Sequence, residues 1–233
     1  LHDLDDGLLK DYDDSLKNFQ KEHNLTIFHL MGQHVNYKQR YRTKQARFWA
    51  SSYEDKRPEL TNAQRKMLSH YDNATLYNDS IVAQIVKRFQ KQDAIVIYVP
   101  DHGEECYEEN RGFICRNHSA EIDWPLAHYE FEIPFWIYCS PKYIRNHRDI
   151  YRQIRKAKDK RFMTDALPHL LLYLAGIETP TYKEEYNILS PKYDEMRPRI
   201  LKNSADYDKL RDAHLEKIKK EESKKVKKKE RRN

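Results

Sequence analysis

Apolar positions recur along this chain with two periods, one helical and one short and continuous, and their alternation predicts a layered α/β domain. Leu8, Leu9, Tyr12 and Leu16 fall at helical spacing and predict a first helix. The run Leu25-Thr26-Ile27-Phe28-His29-Leu30 then reads as a strand. Thr61 is a favourable cap for a long helix from about Asn62 to Gln90, along which Met67, Leu68, Tyr71, Leu76, Ile81, Ile85 and Phe89 form an approximate apolar stripe. A second strand, Ala94 to Val99, follows at once, and after a long loop Ile133 to Tyr138 predicts a third. Thr164 to Ala175 predicts a helix stopped by Gly176, with Leu167, Leu170, Leu171 and Leu174 as its buried face. Strands alternating with helices favour parallel pairing, and in such sheets ligands collect outside the carboxyl ends of the strands. From Tyr207 onward Leu210, Leu215, Ile218 and Val226 make too sparse a stripe for a buried helix, so an exposed helix or disorder is expected there. The expected organisation is a layered domain over residues 1–205 and a basic tail over 206–233.

Composition sharpens this picture in two places. The 233 residues suffice for one sizeable core, and no stretch approaches the roughly 18 apolar residues that a membrane helix needs. The chain opens on Leu1-His2-Asp3-Leu4-Asp5-Asp6, which is acidic, unlike a signal peptide, and lacks an initial Met, so it reads as a piece of something longer. The formal net charge of +6 is carried at one end: residues 217–233 hold ten Lys or Arg against three Glu, which leaves the first 216 residues at −1. A nearly neutral folded part argues against a nucleic-acid partner. The basic block reads first as a solvated tail and second as a contact for anionic lipid. The three cysteines have no zinc-finger spacing: Cys106 and Cys115 share one loop-like segment and could pair in an oxidising compartment, while Cys139 follows an apolar run and reads as buried.

The chemistry gathers where the predicted strands end. Asp101 and His102 leave the second strand side by side, and a carboxylate next to an imidazole can bind a divalent metal, with Gly103 allowing a tight turn. Taken alone, Asp-His-Gly is equally an ordinary strand exit. After the first predicted strand comes a segment dense in His, Arg and Tyr, including His29, His34 and Arg40. His118 lies in the loop beyond His102. Histidines and an arginine near a metal suit a phosphate or sulfate ester, whose oxyanions need positive charge and hydrogen-bond donors.

In combination these residues resemble a known family. Asp5-Asp6-x-Leu8-Leu9, His29-x-x-Gly32-x-His34-x-x-Tyr37-x-x-Arg40-Tyr41, Tyr71-Asp72-Asn73-x-x-x-Tyr77-x-Asp79, Asp101-His102-Gly103-Glu104, Ile133-Pro134-Phe135 and Asp165-x-x-Pro168-His169-x-x-Leu172-x-x-Ala175-Gly176-Ile177 occur in order. The set is similar to that of the phosphoethanolamine transferases of the alkaline phosphatase and sulfatase superfamily, which decorate lipid A and core oligosaccharide. The likeness covers about residues 1–205. It implies a layered αβα domain with a mostly parallel central sheet, incomplete at its amino-terminal side. It also implies transfer of phosphoethanolamine from phosphatidylethanolamine to lipid A or an oligosaccharide through a covalent intermediate on a threonine. Zinc, or manganese or another divalent metal in its place, would be the cofactor, with Asp101 and His102 as ligands. His34 and His118 would face the transferred group as catalytic acid, base or substrate-binding residues. Arg40 ranks lower as a substrate contact, and His29 and His169 read as supporting or packing residues. The implied location is the periplasmic side of a Gram-negative inner membrane, reached through amino-terminal helices, with the basic tail as a further candidate contact.

The departures from the pattern bear on the site. Gln33 stands where the family has Ser, Val35-Asn36 where it has Gly-Pro, and Pro100 where Ser is usual. The family's threonine nucleophile and the glutamate completing its metal site would lie upstream of Leu1. Two protein ligands rarely hold zinc tightly, so the chain by itself is expected to be inactive and only marginally stable. Two rival readings stand: a sulfatase or phosphodiesterase-type hydrolase of the same superfamily, and a non-catalytic membrane-peripheral module using the tail.

Overall fold

The computed structural model describes residues 3–15, 23–117 and 121–230. In chain order the elements are α1 (Asp6–Ser15), α2 (Asn62–Phe89), β1 (Ile95–Tyr98), β2 (Glu105–Cys106), β3 (Phe113–Cys115), α3 (Trp124–Phe131), β4 (Trp136–Cys139), α4 (Pro141–Asn146), α5 (Arg148–Ala157), α6 (Leu167–Leu174), β5 (Ile200–Leu201), β6 (Ala205–Asp206) and α7 (Tyr207–Glu230), with six short 3-10 turns between them. The chain divides into two compact units, one of residues 1–92 with 106–115 and the other of residues 93–105 with 116–233.

The first unit is organised by α2. Thr61 caps it reciprocally: its hydroxyl accepts from the Gln64 N–H, and the Gln64 amide oxygen accepts from the Thr61 N–H, which satisfies donors that the first turn leaves open. Leu68 packs with Tyr53, Leu60, Cys106 and Tyr107 in the main apolar cluster, while Tyr37, only 1% exposed, meets Tyr71 and Phe113 edge-on. At the other end of the helix, Phe89 closes a ring cluster with Tyr12 of α1 and Phe28, and Arg88 forms a bidentate pair with Asp13 at 2.8 and 2.7 Å. Leu16, the last position of the predicted first helix, lies outside the described residues.

The predicted strand at Leu25–Leu30 is not one. Residues 24–30 carry no ladder among the described residues, and Leu25 and Ile27 are 78% and 79% exposed. Strand propensity needs a neighbouring strand to satisfy its N–H and C=O groups, and here Phe28 packs on Tyr12 and Phe89 instead.

In the second unit β1 and β4 form one two-stranded sheet, with Tyr98 opposite and stacked on Trp136. Their pairing is antiparallel, against the parallel pairing that the alternation predicts. The reason is connectivity. The helix α2 leads into β1 from the 24–30 segment, which forms no ladder, so no parallel pair across that helix is made among the described residues, and β1 instead meets β4 after the chain has passed through β2, β3 and α3. Ser140 locks the end of this ladder: its N–H donates to the Ala94 carbonyl at 3.0 Å and its hydroxyl caps α4 at the Tyr143 N–H. Cys139 is buried as expected, and burial pushes its thiol pKa up. The helix α6 is preceded by a 3-10 turn at Thr164–Ala166 and ends as predicted at Gly176, where the Ile177 N–H reaches the Leu172 carbonyl at 2.9 Å. It buries Leu170 with Ala157, Ile188 and Leu189, and Phe135, Ile137 and Phe162 pack alongside.

The carboxyl-terminal segment takes the helical option. Tyr207 joins the Ile122–Leu126–Ala127–Leu201 cluster, and Asp208 anchors the start of α7 through Arg161, Arg199 and Arg211. Farther on, Leu215 and Ile218 are exposed. No described helix is long and apolar enough to cross a membrane.

Candidate active site

Asp101 and His102 emerge directly beyond β1, and a backbone constraint fixes their corner. The Gly103 N–H donates to the Glu130 carbonyl at 2.8 Å, and a Cβ on residue 103 would fall 2.2 Å from the Tyr129 carbonyl oxygen. Only glycine permits that approach, so its role is space rather than an unusual dihedral angle. The buried Glu130 serves twice, since its side chain also accepts the Asn117 N–H at 2.8 Å. It therefore ties the 116–117 segment to the Asp-His-Gly corner.

His102 Nδ1 lies 2.7 Å from the Gly103 carbonyl, which can only accept, so Nδ1 is the donor there and Nε2 is the nitrogen turned toward Asp101. This is the arrangement that orients histidines as metal ligands. Nε2 stands 3.6 Å from Asp101 Oδ2. Two donors on a tetrahedral zinc with bonds of about 2.0 Å sit about 3.3 Å apart, so the pair fits one edge of such a site with little movement. Among the described residues no cluster of three or more His, Cys, Asp or Glu could complete it. Arg116 Nη1 is 3.8 Å from the same Asp101 oxygen and brings a positive charge suited to an oxyanion. His118, the other predicted residue of this loop, lies outside the described residues.

In the first unit His34 is exposed, with Nδ1 2.7 Å from the Val35 carbonyl. Among the described residues Arg40 meets no acidic side chain, and it does not project freely. Its Nε donates to the His34 carbonyl at 2.9 Å and Nη2 to the Val35 carbonyl at 3.2 Å, so it shapes the loop that presents His34. The opposite side of that loop is held by Asp5, whose carboxylate accepts the Met31 and Gly32 N–H groups at 3.0 and 2.8 Å. Gly32 has φ +55. Asp6 pairs with Arg42, which reaches the Tyr77 hydroxyl. His29 is exposed, and His169 accepts the Lys183 N–H beside Tyr186, a packing role as expected.

Three residues important here escape the sequence reading. Asp5 is recognisable as part of an acidic pair, but nothing local shows that it binds a loop 26 residues away. Arg116 and Glu130 look like ordinary loop and helix charges. An arginine two residues before His118 and a glutamate on a largely apolar helix were the available signals.

The fold is a mixed α/β domain. A family model described as Sulfatase matches residues 2–177, and the chain belongs to the sulfatase family. It is 31% identical over 196 residues to the phosphoethanolamine transferase EptC of Escherichia coli O18:K1:H7 (strain RS218 / NMEC), covering 83% of this chain and 32% of that protein. It is 32% identical over 162 residues to the Kdo(2)-lipid A phosphoethanolamine 7''-transferase of Escherichia coli K12, covering 68% and 27% respectively. The chain thus spans about a third of the length of the curated relatives it matches. The crystal structure of the C-terminal periplasmic domain of EptC from Escherichia coli in complex with Zn superposes with a TM-score of 0.71 at 28% identity, over 89% of this chain and 57% of that one.

Proposed function

We propose that the protein is a zinc-dependent phosphoethanolamine transferase that takes its group from phosphatidylethanolamine and passes it to lipid A or an oligosaccharide. The observation that carries this reading is the Asp101–His102 pair in a sulfatase-family chain, with Nε2 free to ligate and 3.6 Å from the carboxylate. Support comes from the transferase names of the relatives and the zinc complex of a structural neighbour. A bound zinc would lower the pKa of a nucleophilic hydroxyl and offset charge on the phosphoryl oxygens. Asp101 and His102 would hold it, while Arg116 draws the ester's oxyanion toward them. His34, held out by Arg40 and Asp5, and His118 serve as the groups that bind the phosphoryl oxygens or move the leaving-group proton. A nucleophilic threonine would carry the covalent intermediate in this scheme, with the two histidines serving it. The active protein works on the periplasmic side of a Gram-negative inner membrane.

The deciding experiment uses a longer protein that includes the preceding sequence and a labelled phosphatidylethanolamine. Transfer should appear on the saccharide acceptor and vanish in Asp101→Asn and His102→Gln. Undiminished turnover in both variants, or release of the group only to water, would overturn the reading, and the second outcome would favour a hydrolase. Titrating zinc calorimetrically into the 233-residue chain should show only weak binding.

A further inference from the structure

The first unit holds a second concave feature, built around Trp49. A cavity of about 430 Å³ is lined by Tyr41, Phe48, Trp49, Lys38, Lys66 and His70 among others. Three aromatic side chains, Tyr41, Phe48 and Trp49, stand in its walls, and Trp49 is left 59% exposed, an unusual state for the largest apolar side chain unless something covers it.

The walls are fixed in advance. Asn73, 3% exposed, accepts the Arg47 and Phe48 N–H groups through Oδ1 at 2.7 and 3.1 Å and donates Nδ2 to the Phe48 and Ser69 carbonyls, each at 2.8 Å. Four hydrogen bonds from one buried amide hold the segment bearing Phe48 and Trp49 against α2. The Trp49 N–H is held in turn by the Ser52 hydroxyl at 3.1 Å, and Tyr41 is held by His70 Nδ1 at 2.8 Å. A preformed aromatic wall loses little conformational entropy on binding.

The charge on the rim is of one sign. Lys38 comes from the turn after the His34 loop and Lys66 from the first turns of α2, and both are exposed. Both line the cavity together with His70, whose pKa is held below its ordinary value by burial first and then by the positive charge of Lys38 and of Lys66. Two cationic side chains thus share the lining, and Thr43 and Ser51 bring hydroxyls to it. Aromatic faces match the apolar face of a sugar ring, hydroxyls match its rim, and paired lysines match a phosphate.

We infer that this cavity binds a phosphorylated saccharide, with the ring against Trp49 and the phosphate between Lys38 and Lys66. Within the function proposed above it is where the anionic saccharide acceptor is held, and that assignment rests on the transferase reading. Binding itself does not, because it can be measured without turnover.

The test is titration of glucose 6-phosphate into the 233-residue chain, followed by tryptophan fluorescence and by calorimetry. Saturable binding is expected, at least tenfold tighter than that of glucose or inorganic phosphate. Lys38→Met/Lys66→Met should weaken it at least tenfold with the circular dichroism unchanged, since both side chains are exposed. Trp49→Phe should abolish the fluorescence change while calorimetric binding persists. Absence of saturable binding, or the same affinity in the double lysine variant, would overturn the inference. Adenosine monophosphate binding more tightly than glucose 6-phosphate would replace the saccharide with a nucleotide. A longer protein that binds the sugar phosphate yet transfers nothing would sink the transferase reading and leave this site standing.

Discussion

The loop from Met31 to Arg40 follows a segment without a ladder and takes its shape from side chains, whereas the corner at Asp101–Gly103 leaves a paired strand and is set by backbone contacts. In the first, Asp5 grips two N–H groups and Arg40 grips two carbonyls. In the second, Gly103 lies against the Tyr129 carbonyl and donates to the Glu130 carbonyl. Even their glycines differ in purpose. Gly32 has room for a Cβ, the nearest atom being 3.6 Å away, but sits at φ +55; Gly103 has no room at all. A loop held by side chains can be reshaped one hydrogen bond at a time, while a corner held by backbone approach tolerates almost nothing.

The contrast can be broken most directly at Gly103. Gly103→Ala must push β1's exit away from α3, and denaturant unfolding should show a loss of about 3 kcal/mol, as for overpacking against an unyielding wall. A loss no larger than that of an exposed substitution would show that the corner is as pliable as the loop. Asp5→Ala comes next, with about 2 kcal/mol expected because two N–H groups lose a charged acceptor. Amide exchange at Met31 and Gly32 should accelerate in that variant while exchange at Gly103 stays unchanged. For Gly32→Ala about 1 kcal/mol is expected from the left-handed backbone alone, and a larger loss would mean that packing, rather than the dihedral angle, selects glycine there. The smallest effect should be that of Arg40→Lys. An ammonium retains the charge but cannot span both carbonyls, so about 0.5 kcal/mol should be lost, read as a small drop in the unfolding midpoint. A larger drop there would make Arg40 the principal support of the loop.

Much of the helical architecture was legible along the chain. The Thr61 cap, the reach of α2, the Gly176 stop and the burial of Cys139 follow from local chemistry, because caps and periodic stripes involve residues within a few positions of each other. The failures were of another kind. Residues 25–30 have strand composition without a strand partner, and β1 and β4 pair antiparallel because pairing depends on which segments meet. Within the candidate site, Asp101 and His102 were readable from their adjacency. Arg116, Glu130 and Asp5 were not, since each acts across 13 to 27 residues of sequence.

The sequence by itself determined the ordered motifs, the adjacent Asp101–His102 pair and the position of the charge, all of which are properties of neighbouring residues. Tertiary structure decided that Nε2 of His102 is the available nitrogen, that Arg40 serves a loop, that Gly103 is required for space and that aromatic and lysine side chains meet around Trp49. Those outcomes depend on backbone groups brought together from distant positions, where a few tenths of an ångström decide whether a contact is a hydrogen bond or a clash.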